Sequence, residues 1–508
     1  MEAAKSNIRF VVAGLLLAIF MSAIDNTIVA TAMGTIVSKL GGMDKFVWVT
    51  SAYMVTTMAG MPIFGKLSDM YGRKRFFIFG LTVFLIGSAL CGLAQSIEQL
   101  AMFRAIQGIG GGALMPIAFT IIFDIFPLEK RGKMTGLLGA VFGAASVIGP
   151  LLGAYITDYF GWEWVFYINV PIGIVSFALI MKNYKESPVH TKQKIDWWGA
   201  STLVIAVISL MFALELGGKQ YDWNSAPIIT LFVSFALFFI VFFFVELRAK
   251  EPILPFFLFK RRLFASSQIL AFLYGGTFII LTVYIPIFVQ AVYGGSATNA
   301  GLILTPMMLG SVVGSSIGGI CSSKTSYRNL MIISVISYFA GMFLLSTLDP
   351  SSARIWLTLF MILVGFGMGF SFSLLPTASQ HNLEPRFRGT ANSTNQFLRS
   401  LGMTMGITIF GTIQNNLFTS KLTENFKDMG GNANSAMSKL GDIRQIFEHS
   451  VREKIPKDIL DKIIDAMSHS ITHVFLIALL PIAIAVIFVF TMGNSRVTIA
   501  KKQNDSEA

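Results

Sequence analysis

Charged residues and cysteine are both scarce in this chain. Of its 508 residues, 13% are charged, 54% are hydrophobic and two are cysteines. So low a share of charge excludes an ordinary soluble multidomain enzyme. The two cysteines, Cys91 and Cys321, imply neither a disulfide framework nor a metal site. The composition indicates a polytopic membrane protein.

Sequence motifs for several kinds of chemistry are also missing. The chain contains no Gly-x-x-x-x-Gly-Lys-Ser/Thr loop of the kind that binds ATP phosphates. Its apolar segments hold no paired catalytic carboxylates and no nucleophile with a base, so a membrane-embedded enzyme or sensor is the weakest functional hypothesis. We therefore expect a protein that is not an enzyme and that has no cofactor and no metal.

The net charge of +12 does not indicate a nucleic-acid partner. The basic residues occur in short clusters between apolar runs instead of forming one patch, so we interpret them as signals of membrane topology. With both termini in the cytoplasm, most of the basic residues fall inside. The short outer loops then carry only four, which are Lys39, Lys45, Lys219 and Arg354. The positive-inside rule favours this orientation in a cytoplasmic membrane.

Apolar runs that are long enough to cross a bilayer of about 30 Å as helices recur along the chain. They fall near residues 9–33, 46–65, 76–96, 99–123, 134–158, 162–181, 197–217, 226–246, 265–290, 300–320, 329–348, 354–376, 391–415 and 470–492. The sequence thus predicts an all-α polytopic membrane protein with about 14 transmembrane helices.

The spacing of these runs divides the chain into four parts. We expect a six-helix bundle in residues 1–181, a linker with two additional spans in residues 182–263, a second six-helix bundle in residues 264–493, and a cytoplasmic tail in residues 494–508. The second bundle includes a polar outer loop, residues 418–468.

An apolar stripe at helical spacing follows Pro456 within this outer loop. Its members are Ile459, Leu460, Ile463, Ile464 and Met467. Two interpretations remain open. The helix forms a lid over a transport path, or it rests on the outer surface against protein or lipid headgroups.

A charged segment, residues 65–75, separates the second and third apolar runs. It must form a tight turn at the membrane surface, which Gly65 and Gly72 permit. Asp69 can accept hydrogen bonds from a nearby helix N-terminus. The basic residues from Arg73 onward are expected to lie in the cytoplasmic interface, although the positive-inside rule alone could explain that basic cluster.

Several motifs resemble those of the major facilitator superfamily, in which two six-helix bundles form the fold. The segment 65–75 resembles its loop between the second and third spans. The residues Leu100, Arg104, Gln107, Gly108 and Gly110 resemble its fourth-span motif. In that family, Asp69, Arg73 and Asp124 would form a charge cluster that stabilises one conformation.

Two segments, 24–32 and 162–173, resemble signatures of the 14-span drug:proton antiporters within this superfamily, which are multidrug efflux transporters. The chain departs from the usual pattern at Gly34, where proline is common, and at Glu163, where arginine is common. The fifth-span residues Gly143, Gly149, Pro150 and Gly153 resemble an antiporter motif. Ordinary close packing of helices explains the same spacing equally well.

Asp25 is the strongest candidate for a coupling site, because only Asp25 and Glu215 are acidic deep within a span. A carboxylate in a low-dielectric cavity can carry a proton near neutral pH, and it can bind a proton or a cationic substrate but not both well. Counting 1.5 Å per residue along each helix places Asp25 and Arg104 within a few Å of the same depth. We therefore predict that they are in contact in one state, either for coupling or as a static ion pair.

These observations predict a proton-coupled antiporter that exports amphipathic drugs or toxic hydrophobic compounds by alternating access. Neutral or monovalent cationic substrates are expected, because residues 354–376 and 391–415 contain no acid. Gln107, Tyr284 and Gln290 are candidates for the substrate cavity. We expect the protein to be a monomer and to have no partner besides substrate, protons and lipid. The alternative function is a dedicated exporter or facilitator of one endogenous metabolite or lipid.

Overall fold

The computed structural model describes residues 7–41, 45–186, 195–218, 220–294, 303–426 and 456–496. Within these residues the chain forms helices joined by short turns, and it contains no β-strand. This agrees with the predicted all-α class. The turn around Gly72 lies at one end of the molecule, which we call the motif end, and the opposite end is the far end.

The first bundle contains six membrane-length helical segments, the last of which is broken near Ile168. They are α1 (Ile8–Leu40), α2 (Val47–Tyr71), α3 (Arg73–Cys91), α4 (Ile97–Ile125), α5 (Leu128–Tyr159) and the pair α6 (Trp164–Tyr167) and α7 (Asn169–Asn183). Helix α4 lies at the centre, because it packs against α2, α3 and α1. It is buried over 83% of its most apolar stretch.

Two helices, α8 (Trp197–Leu216) and α9 (Ala226–Arg248), follow the first bundle. They pack against each other, and α8 also contacts α2. The most apolar stretch of α9 is only 11% buried. A helix that is this apolar and this exposed is stable only when lipid covers it.

The described residues of the second bundle form seven α-helices. They are α10 (Arg262–Ala291), α11 (Thr305–Cys321), α12 (Tyr327–Ser346), α13 (Arg354–Ser379), α14 (Arg388–Phe426), α15 (Lys457–Ile477) and α16 (Leu479–Thr491). Helix α13 packs against α11, α12 and α10, whereas α14 packs against α10 in its own bundle and α2 in the first. Helices α15 and α16 follow each other directly and form the last span.

Ten helical segments among the described residues are long and apolar enough to cross a membrane, and Thr305–Cys321 is a shorter apolar helix. Many large apolar side chains are exposed on the outer faces of these helices, as at Ile336 and Leu480. An exposed apolar surface of this extent is stable in lipid and not in water. The chain is a multi-pass membrane protein.

The tight turn predicted for residues 65–75 is present, but it is confined to Gly72. Helix α2 continues to Tyr71 and α3 begins at Arg73, so Gly72 alone makes the turn, with a positive φ of 110°. Gly65 lies inside α2, where an added Cβ would be 2.0 Å from the Ser393 hydroxyl oxygen of α14. Its lack of a side chain therefore permits contact between helices instead of a turn.

The apolar stripe after Pro456 belongs to α15, which continues directly into the last span. Its residues Ile463 and Met467 are buried against other helices, so the stripe rests on protein, which is one of the two partners that the sequence analysis left open. Helix α14 has 39 residues, about 58 Å, so it extends well beyond a bilayer core of about 30 Å. Phe426 on this extension and Ile463 of α15 belong to the same apolar core, so the predicted outer loop 418–468 begins and ends as paired helices.

Candidate functional site

A buried polar cluster occupies the centre of the first bundle, around Asp25 of α1. The Arg104 guanidinium donates through Nη1 to Asp25 Oδ2 at 2.5 Å, which is the contact that the sequence analysis predicted. Gln107 lies one turn further along α4 and donates through Nε2 to Asp25 Oδ1 at 2.8 Å. Its other amide atom, Oε1, accepts from Arg104 Nη1 at 2.7 Å. The spacing of three residues places Arg104 and Gln107 on one face of α4.

Asn169 is a further member of this cluster that the sequence analysis missed as a site residue. Its Nδ2 donates to Asp25 Oδ1 at 2.8 Å and also lies 3.0 Å from Ser88 Oγ. Ser88 in turn donates to the carbonyl of Phe166, next to the break between α6 and α7. The segment 162–173 pointed to this region by resemblance, but no spacing along the chain showed that Asn169 faces Asp25.

The cluster is sealed from solvent. Asp25, Gln107 and Asn169 are 0% exposed, and Arg104 is 1% exposed. The Tyr53 ring covers Arg104, with the guanidinium carbon 4.1 Å from the ring centroid. Arg104, Gln107 and Asn169 all donate to the Asp25 carboxylate, so one buried acid joins α1, α4 and α7.

The helix contacts around Asp25 depend on small residues of α5. An added Cβ at Gly149 would lie 1.9 Å from the Thr27 hydroxyl oxygen, and one at Gly153 would lie 2.1 Å from that of Thr31. These glycines therefore let α5 pack closely against α1 on either side of Pro150. Gly143 lies on the same helix, but its surroundings are outside the described part of the structure.

A second polar cluster joins the two bundles at the motif end. Asp69 accepts hydrogen bonds from the backbone amides of Gly389 and Thr390, at 2.9 and 2.6 Å, and from the Thr390 hydroxyl. These amides belong to the first turn of α14, so Asp69 binds a helix N-terminus as predicted. It also forms an ion pair with Arg73.

Arg73 connects Asp69 to the end of α4. Its Nε donates to Asp124 at 3.1 Å, and its Nη2 donates to the carbonyl of Pro385 at 3.2 Å. Asp124 also pairs with Arg388 at 3.3 Å. The predicted meeting of Asp69, Arg73 and Asp124 is therefore present, and the Arg73 side chain is buried within it. We call Asp69, Arg73, Asp124, Arg388 and Thr390 the clasp.

Other charged groups hold the linker against the same end. Glu186 accepts from the backbone amides of Arg73 and Lys74 at the start of α3. Lys66 pairs with Glu251 at 2.8 Å, which ties α2 to the segment after α9. The buried Glu246, which the sequence analysis did not consider, accepts from two backbone amides after α9 and fixes that turn. These contacts hold the two additional helices beside the first bundle.

The three residues predicted for the substrate cavity belong to different bundles. Gln107 belongs to the Asp25 cluster, whereas Tyr284 and Gln290 lie on α10 of the second bundle. Tyr284 is 4% exposed. Among the described residues, no group of three His, Cys, Asp or Glu residues could hold a metal ion.

Two bundles with buried charges, coupled by a clasp at one end, define a membrane transporter and not an enzyme. The chain belongs to the Major Facilitator Superfamily, whose family profile matches residues 15–198 and 195–407.

Relatives over the full chain support the same assignment. The chain is 67% identical over 496 residues to Multidrug resistance protein 3 of Bacillus subtilis (strain 168), covering 97% of both chains. It is 36% identical to the Multidrug transporter protein MdtP of the same organism, covering 100% of this chain and 97% of the relative. Among solved structures, the proton:xylose symporter XylE matches with a TM-score of 0.58 and 13% identity, covering 93% of this chain and 94% of that one. This last match shows the fold alone.

Proposed function

We propose that this protein exports amphipathic drugs or other toxic hydrophobic compounds across the cytoplasmic membrane in exchange for protons, by alternating access. The observation that carries the proposal is the sealed Asp25 cluster, in which one buried carboxylate joins α1, α4 and α7. The names of the two Bacillus subtilis relatives favour several substrates over one dedicated metabolite or lipid.

The proposed transport cycle uses the two clusters at different stages. In the structure the clasp is closed and Asp25 is bonded to Arg104. With 14 spans and both termini in the cytoplasm, the motif end is cytoplasmic, so this is a state closed toward the cytoplasm. Opening toward the outside separates Asp25 from Arg104, which favours protonation. A protonated, neutral Asp25 no longer attracts Arg104, and this permits the return to the inward-open state.

The proton gradient supplies enough free energy for this exchange. One proton that enters across about 100 mV and one pH unit releases roughly 2.3 plus 1.4 kcal/mol. That sum corresponds to a gradient of several hundredfold for a neutral substrate. Export therefore needs no ATPase.

A transport assay with purified full-length protein tests the proposal. The protein is reconstituted in liposomes, a pH gradient is imposed, and the movement of several unrelated neutral or monovalent cationic dyes is followed. We expect uptake of more than one dye into acidic vesicles and its loss when an ionophore collapses the gradient. Transport of a single metabolite, or transport insensitive to the ionophore, would contradict the proposal.

A further inference from the structure

Arg399 of α14 is a second arginine that is buried within a membrane-length helix. It lies 11 residues beyond Arg388, which is about 16 Å along the helix from the motif end. The residue is 6% exposed. The sequence analysis did not single it out, although an arginine within an apolar run is the same signal that identified Arg104.

The surroundings of the two arginines differ in one respect. Arg104 is paired with Asp25, whereas Arg399 forms no ion pair with any described residue. Acids in the described helices of the second bundle occur only toward the far end, as Glu424 of α14 and as Asp458, Asp461 and Asp465 of α15. An uncompensated charge within a membrane is costly.

The donors of Arg399 are only partly used. Nη2 donates to the backbone carbonyl of Ser371 at 3.1 Å, and Nη1 lies 3.4 Å from the Ser371 hydroxyl. The third nitrogen, Nε, has no hydrogen-bond partner in the described structure. A guanidinium has five N–H donors in a planar fork that matches the two oxygens of a carboxylate. Arg399 therefore has unused donors suited to an anion.

Aromatic rings lie next to this guanidinium. The Arg399 guanidinium carbon is 4.7 Å from the centroid of the Phe372 ring. Phe372 of α13 meets Phe278 of α10 edge to face, with ring centroids 5.8 Å apart. Both rings are partly exposed, so the pair presents an apolar surface beside a buried cation. That combination suits an aromatic molecule that carries one anionic group.

We propose that Arg399 and the Phe278–Phe372 pair form a substrate subsite for the carboxylate of zwitterionic aromatic amphipaths. Arg399 binds the carboxylate through its fork, and the two phenylalanines contact the aromatic body. A zwitterion is neutral overall, so this subsite agrees with the neutral substrates expected above. The inference rests on the proposed export function and narrows its substrate class.

Two dyes that differ only at the carboxyl group test this subsite. Rhodamine 110 carries a free carboxylate, and rhodamine 123 is its methyl ester. Binding of each dye to purified full-length protein is measured by fluorescence polarisation. We expect the wild type to bind the acid more tightly than the ester, and Arg399→Gln to weaken acid binding about tenfold or more while ester binding changes less than about threefold.

Two further variants separate recognition from a structural role. Arg399→Lys keeps the charge but not the fork, so it should retain a reduced preference for the acid. Arg354→Gln removes an exposed charge from the start of α13 and should leave both affinities unchanged. The unfolding temperature of each variant is measured in parallel. If Arg399→Gln does not fold, Arg399→Lys still tests the inference. Equal weakening of the binding of both dyes to a folded Arg399→Lys protein would overturn it.

Other outcomes distinguish this inference from the proposed function. A wild type that binds the two dyes equally, or binds neither, contradicts the subsite. Driven transport of the ester but not of the acid contradicts the subsite and leaves drug export intact. Arg399-dependent binding of the acid without gradient-driven transport of either dye supports the subsite and contradicts the export function.

Discussion

Asp25 and Arg104 come from helices α1 and α4, yet their side chains meet at 2.5 Å in a space that solvent does not reach. Each charge would be costly in lipid without the other. A static ion pair and a coupling site share this geometry, and they differ in what happens when one partner is removed. The first two predictions use that difference.

Replacing Asp25 by Asn should uncouple transport from the proton gradient. The amide has nearly the same shape but cannot bind and release a proton, so Asp25→Asn should still bind dye but lose the response to an imposed pH gradient. Asp158→Asn, an exposed acid at the end of α5, is the matched control and should behave as the wild type. Efflux by Asp25→Asn that follows the gradient as in the wild type would refute the assignment.

Removing Arg104 should shift the pH dependence of dye binding. Without the guanidinium Asp25 loses its ionic partner in a buried site, so a coupling role for the pair predicts a changed response of dye binding to pH. The binding profile of Arg104→Ala should therefore shift along the pH axis, whereas Arg104→Lys keeps a cation and should shift it less. Equal profiles for the wild type and both variants would indicate a static pair without a role in coupling.

The sequence predicted the parts of these sites that depend on depth along a helix. The depth of Asp25 and Arg104 followed from residue counts, as did the position of Asp69 at a membrane surface. The contact of Asn169 with Asp25 was not predictable, because it depends on the rotation of α7 about its own axis. The sequence could not decide whether the stripe of α15 packs on protein or on lipid, because an amphipathic stripe does not identify its partner.

Gly110 should be needed for the contact between α3 and α4. An added Cβ there would lie 2.3 Å from the backbone nitrogen of Phe84 and 2.4 Å from the carbonyl oxygen of Gly80. Backbone atoms cannot move aside cheaply, so Gly110→Ala should destabilise the protein by about 1–3 kcal/mol or more. Gly34→Ala is the control, since nothing lies within 4 Å of its added Cβ. The thermal unfolding temperature in detergent should be lower for Gly110→Ala than for the wild type and unchanged for Gly34→Ala.

The orientation of the chain can be tested with single cysteines after replacement of Cys91 and Cys321. Glu424 lies exposed near the far end of α14, and Arg386 lies exposed at the motif end. If the motif end is cytoplasmic, Glu424→Cys should react with an impermeant thiol reagent in intact cells. Arg386→Cys should react only after the cells are permeabilised. The reverse pattern would show that the predicted orientation is wrong.

The clasp should set the balance between states that are closed and open at the motif end. Asp69 accepts three hydrogen bonds from Gly389 and Thr390, and all of them must break when the bundles separate there. Hydrogen bonds to a charged group contribute about 1.5–3 kcal/mol. Asp69→Asn should therefore raise the population of the open state about tenfold or more.

A cysteine introduced at a buried position next to the clasp can report this change in the population of the open state. Thr394 lies one turn further along α14 and is 2% exposed. In a background without other cysteines, Thr394→Cys should react slowly with a thiol reagent, and adding Asp69→Asn or Asp124→Asn should accelerate the reaction. Glu384→Gln removes a carboxylate at the same end that pairs only with the exposed Arg386, so it should leave the rate unchanged. If the clasp variants react no faster than this control, the clasp does not hold the motif end closed.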